Sequence, residues 1–395
     1  MTSISPRSSR IVTIDFVRGL IMVIMALDHV RDFTHYDAYL YDPLDATKTS
    51  VILYVTRWIT HFCAPTFVLL TGVAASLLGK QRSKKQLFKF LLTRGLWLLI
   101  ADLLIVSFSW SFNAPPHFML FGVVAVIGVS MMILSLLIFL PNTIILIFGL
   151  IIVFFHNMLD NIHIANGTSL IWSQLHQQSL FVWGNHYNYV TGYPIIPWVG
   201  VVALGYCLGT LFQPEYEAAK RKKILRWIGL SAIILFFVLR YFNIYGNPTD
   251  WKHGENITAS LMNFFNVLKY PPSLLYLLIT LGPVLLLLSV LDSTRIRASN
   301  PLVIFGRVPL FYYIIHLYII HLIATAIALA TGHRFSDMVS DTFITGSEKL
   351  KGTYGVSLFW VYIIWMLLVI GLYPLCKWYA NYKMRHKDWW WLSYL

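Results

Sequence analysis

Long apolar runs alternate with short polar stretches along the whole chain. Ten runs stand out, at 12–33, 58–79, 91–110, 118–140, 143–158, 194–212, 224–244, 272–291, 301–330 and 356–378. Most hold about 20 residues, the length at which a helix rising ~1.5 Å per residue crosses the ~30 Å hydrocarbon layer. The fifth is short for a span, and the ninth is long enough to tilt or kink. The pattern predicts an all-α fold: a polytopic transmembrane helix bundle of about ten spans, forming one domain over 1–395.

The polar segments 34–57, 159–193, 245–271 and 331–355 carry Asp, Asn, Gly, Trp and Tyr. They are too short to be domains and too polar to span, so they are expected to cap one mouth of the bundle. No internal repeat or low-complexity tract is evident, which weakens a transporter reading built on inverted repeats.

Composition agrees with the pattern. The chain is 57% hydrophobic and only 12% charged, with a mean hydropathy of +0.67, against about 25% charged residues in a soluble domain. The net charge of +13 would suit a nucleic-acid partner only if the basic residues shared a soluble face. They lie instead in short loops, and no nucleic acid is expected. Cys63, Cys207 and Cys376 fall inside or at the end of apolar runs without metal or redox spacing, so neither a disulfide framework nor a metal is expected. The first run is full length and no small-residue cleavage site follows it, so it is expected to remain in the mature protein.

The basic residues also suggest an orientation. Arg7, Arg10, the Lys80–Arg94 group, the Lys220–Arg226 group, Arg295, Arg297, Lys377, Lys383, Arg385 and Lys387 fall on one side, 19 of 30, against nine on the other. By the positive-inside rule both termini are cytoplasmic.

Candidate chemistry concentrates in the first run. Asp15 and Arg18 lie at its start, and Asp28, His29, Arg31, Asp32 and His35 at its end. Ionisable groups within a span cost ~2.5–3.5 kcal/mol each on insertion scales, so such a cluster marks a functional site. The eleven-residue step from Arg18 to His29 returns them to nearly one face ~16 Å apart and predicts a single shared cavity. Asp32 is three residues from both His29 and His35 and could orient either imidazole, and Asp28 flanks the same turn.

In the second run Arg57, His61 and Pro65 follow at four-residue steps. In the ninth, Tyr312 and His316 share a face and Arg307 sits near the start. An interfacial anchor or a packing histidine would use the same residue types. The glycines at 200, 205 and 209 predict close helix contact. Asp102 reads as a carboxylate paired with a neighbouring helix, and His321 as a packing histidine. A buried imidazole with a carboxylate could serve as a general base or carry an acyl group, and a proton-coupled transporter of a small polar solute would use the same pair.

The stretches RIVTIDFVRGLIMVIMALDHVRDFTH, TRWITHFCAPTFVLLTG, YPIIPWVGVVALGYCLG, KYPPSLLYLLITLGPVLLLL and FGRVPLFYYIIHLYIIH, spread over roughly 10–378, resemble bacterial membrane proteins grouped with the catalytic domain of heparan-α-glucosaminide N-acetyltransferase. The resemblance implies a transmembrane acyltransferase in the bacterial inner membrane. It would take acetyl from cytosolic acetyl-CoA and pass it to a hydroxyl or amine of a glycan or small glycoside on the far side. A homodimer is a candidate assembly, and the lipid bilayer the other partner. Polysaccharide O-acyltransferases, another branch of that wider set, carry an Arg, ten residues and an essential His in the first helix, a spacing that Arg18 and His29 reproduce. The lysosomal enzyme ends its first helix on Asn and has its catalytic His further along, where His35 is the nearest match. The implied roles are therefore His29 as base with His35 as the alternative, Asp32 and Asp28 as orienting groups, Arg18 and Arg307 for the coenzyme A phosphates, and Arg57, His61, Tyr312 and His316 for the acceptor.

Single cysteines at 37–50 and 159–190 should react with a membrane-impermeant thiol reagent on intact cells, and cysteines at 80–88 should not. Labelling at 80–88 would reverse the orientation.

Overall fold

A computed structural model describes residues 11–115, 117–184, 187–292, 294–386, 388, 389 and 392. Arg7, Arg10 and Lys387 of the charge pattern lie outside them. Helix α1 spans Val12–Thr34; α2 (Val51–Ile59) runs through a 3-10 turn into α3 (Cys63–Gly79), and α4 (Lys84–Ala101) through a π-helical turn into α5 (Ser107–Ser111). There follow α6 (Val123–Leu137), α7 (Asn142–Phe155), α8 (Leu170–Leu175), α9 (Ile195–Gly209), α10 (Ala218–Tyr241), α11 (Ile257–Phe265), α12 (Leu274–Leu291), α13 (Pro301–Arg307), α14 (Pro309–Ala330) and α15 (Leu358–Arg385). Eight helical segments among the described residues are long and apolar enough to cross a bilayer. Helix α1 has the length but carries five charged residues, and α6 is apolar over 15 residues. Every run read from the sequence thus contains a helix, and the protein is a multi-pass membrane protein.

The boundaries follow local chemistry. Ser83 caps α4 in a capping box with Gln86, Ser273 accepts the backbone N–H of Tyr276 at the start of α12, and Asn300 caps α13 ahead of Pro301. The ninth run breaks as its length predicted: Val308 leaves helical geometry and Pro309 starts a fresh helix, because proline cannot supply the N–H that would continue α13.

The fourth run needs correction at its start. Phe118–Phe121 form strand β1, which pairs in parallel with β3 (Tyr187–Thr191), itself antiparallel to β2 (Ser179–Trp183), in the order β1-β3-β2. Ser107 Oγ holds the Leu120 N–H at 2.8 Å, and Asp102 accepts the N–H groups of Gly122 and Ala125 at 2.7 and 2.9 Å. Asp102 therefore caps the start of α6 and delays the helix to Val123. It is the inter-helix partner that its isolation suggested. Tyr318 caps the carbonyl of Ile105 in the π-helical turn at 3.0 Å.

Helix α1 occupies the centre, with 15 of its 23 residues buried, against α3, α12, α13, α14 and α15. Helices α7, α10 and α15 bury few of their residues, as expected for helices whose outer surfaces meet lipid. Two glycine contacts hold the central helices together. A Cβ on Gly19 would fall 1.7 Å from the Leu302 carbonyl oxygen, and one on Gly306 would fall 1.9 Å from that of Asp15. Gly72 and Gly205 repeat the arrangement between α3 and α9, each 2.2 Å from a facing carbonyl. Backbone approaches backbone here, which only glycine allows, and the expected role of the α9 glycines holds.

Gly306→Ala must push α13 off α1. Overpacking costs ~1–3 kcal/mol, so the variant should melt several degrees lower in detergent by tryptophan fluorescence. An unchanged melting temperature would mean that the helices separate without cost.

Candidate active site

Two cavities meet inside the bundle. The first, of about 510 Å³, opens beside the end of α1 and is lined by Asp28, His29, Arg31, Asp32, Asp42, Arg57, Lys269, Tyr270 and the ring of Trp110 among others. The second, of about 490 Å³, lies toward the start of α1 and is lined by Arg18, Arg94, Met22, Leu98, Ile127 and Leu310 among others. Phe67, Val123 and Tyr313 belong to both walls. Where the helical spacing predicted one cavity for Arg18 and His29, the structure divides it in two, because these three side chains enter between them from α3, α6 and α14.

His29 is held by a partner from α14. Its Nδ1 lies 2.7 Å from His316 Nε2, and His316 Nδ1 lies 2.9 Å from the Tyr312 carbonyl oxygen. A carbonyl can only accept, so His316 carries its proton on Nδ1 and presents Nε2 as an acceptor. His29 must then donate from Nδ1. Its Nε2 is left with a lone pair and no hydrogen-bond partner among the described residues. Trp110 meets the ring edge-on at 5.1 Å and Tyr313 at 6.0 Å, which fixes its plane. A neutral imidazole with a held tautomer and a free Nε2 on a cavity wall is equipped to take a proton.

The carboxylates do a different job. Asp28 accepts from Arg57 at 2.8 and 3.0 Å and from Arg31 at 2.8 Å; Arg31 also reaches Asp32 at 2.5 Å. The spacing offered Asp32 and Asp28 as orienting groups for the imidazole. The structure brings them onto arginines, and His316 orients His29 instead. Arg31, 1% exposed, is the buried centre of this network.

The other proposed residues separate. Arg57 lines the first cavity, but His61 turns away against Tyr276, with ring centroids 5.3 Å apart. Tyr312 stacks on His316 at 5.2 Å, and its neighbour Tyr313 reaches the cavities. His35 stacks on Tyr36 at 4.7 Å and is pinned by a backbone bridge to Val356, so it stays out of the lining. Arg18 donates to the Gly306 carbonyl at 3.1 Å and to Asp15 at 3.2 Å at the edge of the second cavity. Arg307, next to that carbonyl in the chain, is not among the lining residues.

Sequence reasoning missed four groups. Arg94 joins Arg18 as the other cation of the second cavity, a pairing made across two helices and invisible in either run. Lys269, Tyr270 and Tyr193 line the first cavity from polar segments. Lys269 stands over the Tyr270 ring at 5.1 Å, and the Tyr193 and Tyr270 hydroxyls lie 3.3 Å apart. Burial raises the Tyr270 phenol, but the charges of Lys269 and Arg57 outweigh it and bring its pKa below the ordinary tyrosine range. The lysine beside a Tyr-Pro-Pro turn was the available signal.

The structure is thus a multi-pass helical bundle with a buried imidazole, His29, on the wall of the first of its two adjoining cavities. The family model described as "Heparan-alpha-glucosaminide N-acetyltransferase, catalytic" matches residues 10–241, more than half of the chain, and the chain belongs to that family. The family assigns it a membrane acetyltransferase function. No curated protein matches the chain significantly.

Arg57→Ala should destabilise the fold by ~3–5 kcal/mol, the cost of leaving a buried carboxylate without one of its cations. Asp28→Asn in the same chain should recover a large part of it. Equal stability of the single variant and the parent in denaturant titrations would mean that solvent reaches Asp28 freely.

Proposed function

We propose that the protein transfers an acetyl group from acetyl-CoA, bound in the inner cavity, to a hydroxyl or amine of a sugar in the first cavity. The supporting observation is the His29–His316–Tyr312 relay, which leaves a basic Nε2 beside a wall common to both cavities.

Each cavity suits its ligand. The inner one, toward the start of α1, is apolar apart from Thr71, Tyr313 and two arginines, so an extended pantetheine arm would lie along its walls while Arg18 and Arg94 meet phosphate oxygens. The first presents three carboxylates, three cations and several aromatic rings, a balanced set of donors and acceptors for a polyhydroxyl ligand. His29 Nε2 takes the proton of the acceptor hydroxyl or amine as its oxygen or nitrogen attacks the thioester carbonyl. The new C–O or C–N bond forms, the C–S bond breaks, and the departing thiolate receives the proton. Arg57 and Lys269 supply positive charge near the developing oxyanion. With the termini in the cytoplasm, as the loop charges suggest, the donor arrives from the cytosol and the acceptor from the opposite side of a bacterial inner membrane.

His29→Gln should lower turnover of labelled acetyl-CoA by ~10²–10⁴, the usual share of general-base catalysis, and leave donor affinity nearly unchanged. His316→Phe should fall less far, since it removes the tautomer restraint and not the base. Full turnover by His29→Gln would refute the mechanism, and proton-linked solute uptake without coenzyme A release would replace it with a transporter.

A further inference from the structure

We propose that His156, Asp160 and His176 form a divalent-metal site, with Zn²⁺ as its ion, separate from the His29 centre. One ligand atom from each residue lies within 4.8 Å of the others. His156 and Asp160 come from the turn that ends α7, and His176 from the residue that ends α8. None of the three lines either cavity at His29.

The polar groups of this cluster are incompletely satisfied without an ion. His156 is 3% exposed, and neither of its ring nitrogens has a hydrogen-bond partner. His176 is equally buried; its Nε2 lies 2.9 Å from Asp160 Oδ1, and its Nδ1 has no partner. Buried nitrogens of this kind are normally paired. A cation accepting a lone pair from each imidazole would satisfy the lone pairs that no donor reaches.

The surroundings resemble the support that metal ligands receive. Asn157 donates from Nδ2 to Asp160 Oδ2 at 2.7 Å, and its Oδ1 accepts the Leu274 N–H at 2.8 Å. The carboxylate is thereby tied to the first turn of α12, as an outer shell ties a ligating carboxylate. Two imidazoles and one carboxylate without thiolate suit Zn²⁺, which takes such ligands at ~2.0–2.2 Å in a tetrahedron with the fourth position open. Ligand atoms then stand ~3.3 Å apart, so the widest pair closes by at most ~1.5 Å.

The ion would act as a clamp on the cavity wall. His176 precedes Gln177, which bonds both backbone groups of Ile164, and Gln178, which lines the first cavity. Joining α7 to the end of α8 fixes where Gln178 stands.

Full-length protein in detergent, stripped with a chelator and dialysed, should take up one equivalent of Zn²⁺ per chain by elemental analysis, and Co²⁺ should give the intense visible bands of a four-coordinate site. Zn²⁺ alone should raise the melting temperature. His156→Gln, Asp160→Asn and His176→Gln should each weaken binding at least tenfold and lose that rise. Parent protein with a normal melting transition but no stoichiometric Zn²⁺ or Co²⁺ would overturn the site. Undiminished binding by all three variants would overturn it too. If the variants fail to fold, the parent titration and its Co²⁺ bands decide alone.

Discussion

The protein depends on one costly arrangement, the ion network at the end of α1. Asp28, Arg31, Asp32 and Arg57 sit where a bilayer protein would ordinarily place apolar side chains, and each charge is tolerated only because the next one neutralises it. The network joins α1 to α2 through Arg57 and brings both helices to the wall of the first cavity. It also commits both carboxylates to arginines, Asp28 to Arg31 and Arg57 and Asp32 to Arg31. Asp28 is already shared by two guanidiniums, and in the proposed reaction the base is the imidazole one residue along.

The second constraint is steric. Gly19 and Gly306 let α1 touch α13 backbone to backbone, and this contact delivers the Gly306 carbonyl to Arg18. The break at Val308–Pro309 then redirects the chain, so that α14 passes behind His29 with His316 at hydrogen-bond distance and Tyr313 between the cavities. A continuous helix over 301–330 could not serve both contacts, since α13 is fitted to the start of α1 and α14 to its end.

Much of this was legible in the sequence. Long apolar runs define their own helices because every backbone group must be satisfied within the segment, and the ten runs, the α9 glycines and the bend in the ninth run all followed from local rules, while Asp102 was read only as pairing with a neighbouring helix. His29, Arg57 and Arg18 were recognisable from charge in an apolar setting. What stayed hidden depends on contacts between distant segments. The 3.6-residue period placed Arg18 and His29 on one face but could not anticipate the side chains of α3, α6 and α14 entering between them. It placed Asp32 near His29 but could not know that Arg31 would claim it. Strand β1 was hidden because Phe118–Phe121 is as apolar as the helix behind it, and its partner β3 lies some 70 residues on.

The division into two cavities bears directly on transfer chemistry. Acetyl-CoA is a charged, water-soluble donor and a sugar an equally polar acceptor, and neither crosses a hydrophobic bundle. A protein that moves only the acetyl group can let each ligand remain on its own side, provided that the thioester reaches the common wall. In the proposed reaction Phe67, Val123 and Tyr313 are that wall, and they exclude the water that would otherwise hydrolyse the thioester. His29 stands beside it with the one nitrogen that is not committed elsewhere. His35 has no such position: its ring lies on Tyr36 and its backbone on Val356, outside both linings. The choice between the two histidines, open in the sequence, thus rests on which of them a substrate could touch.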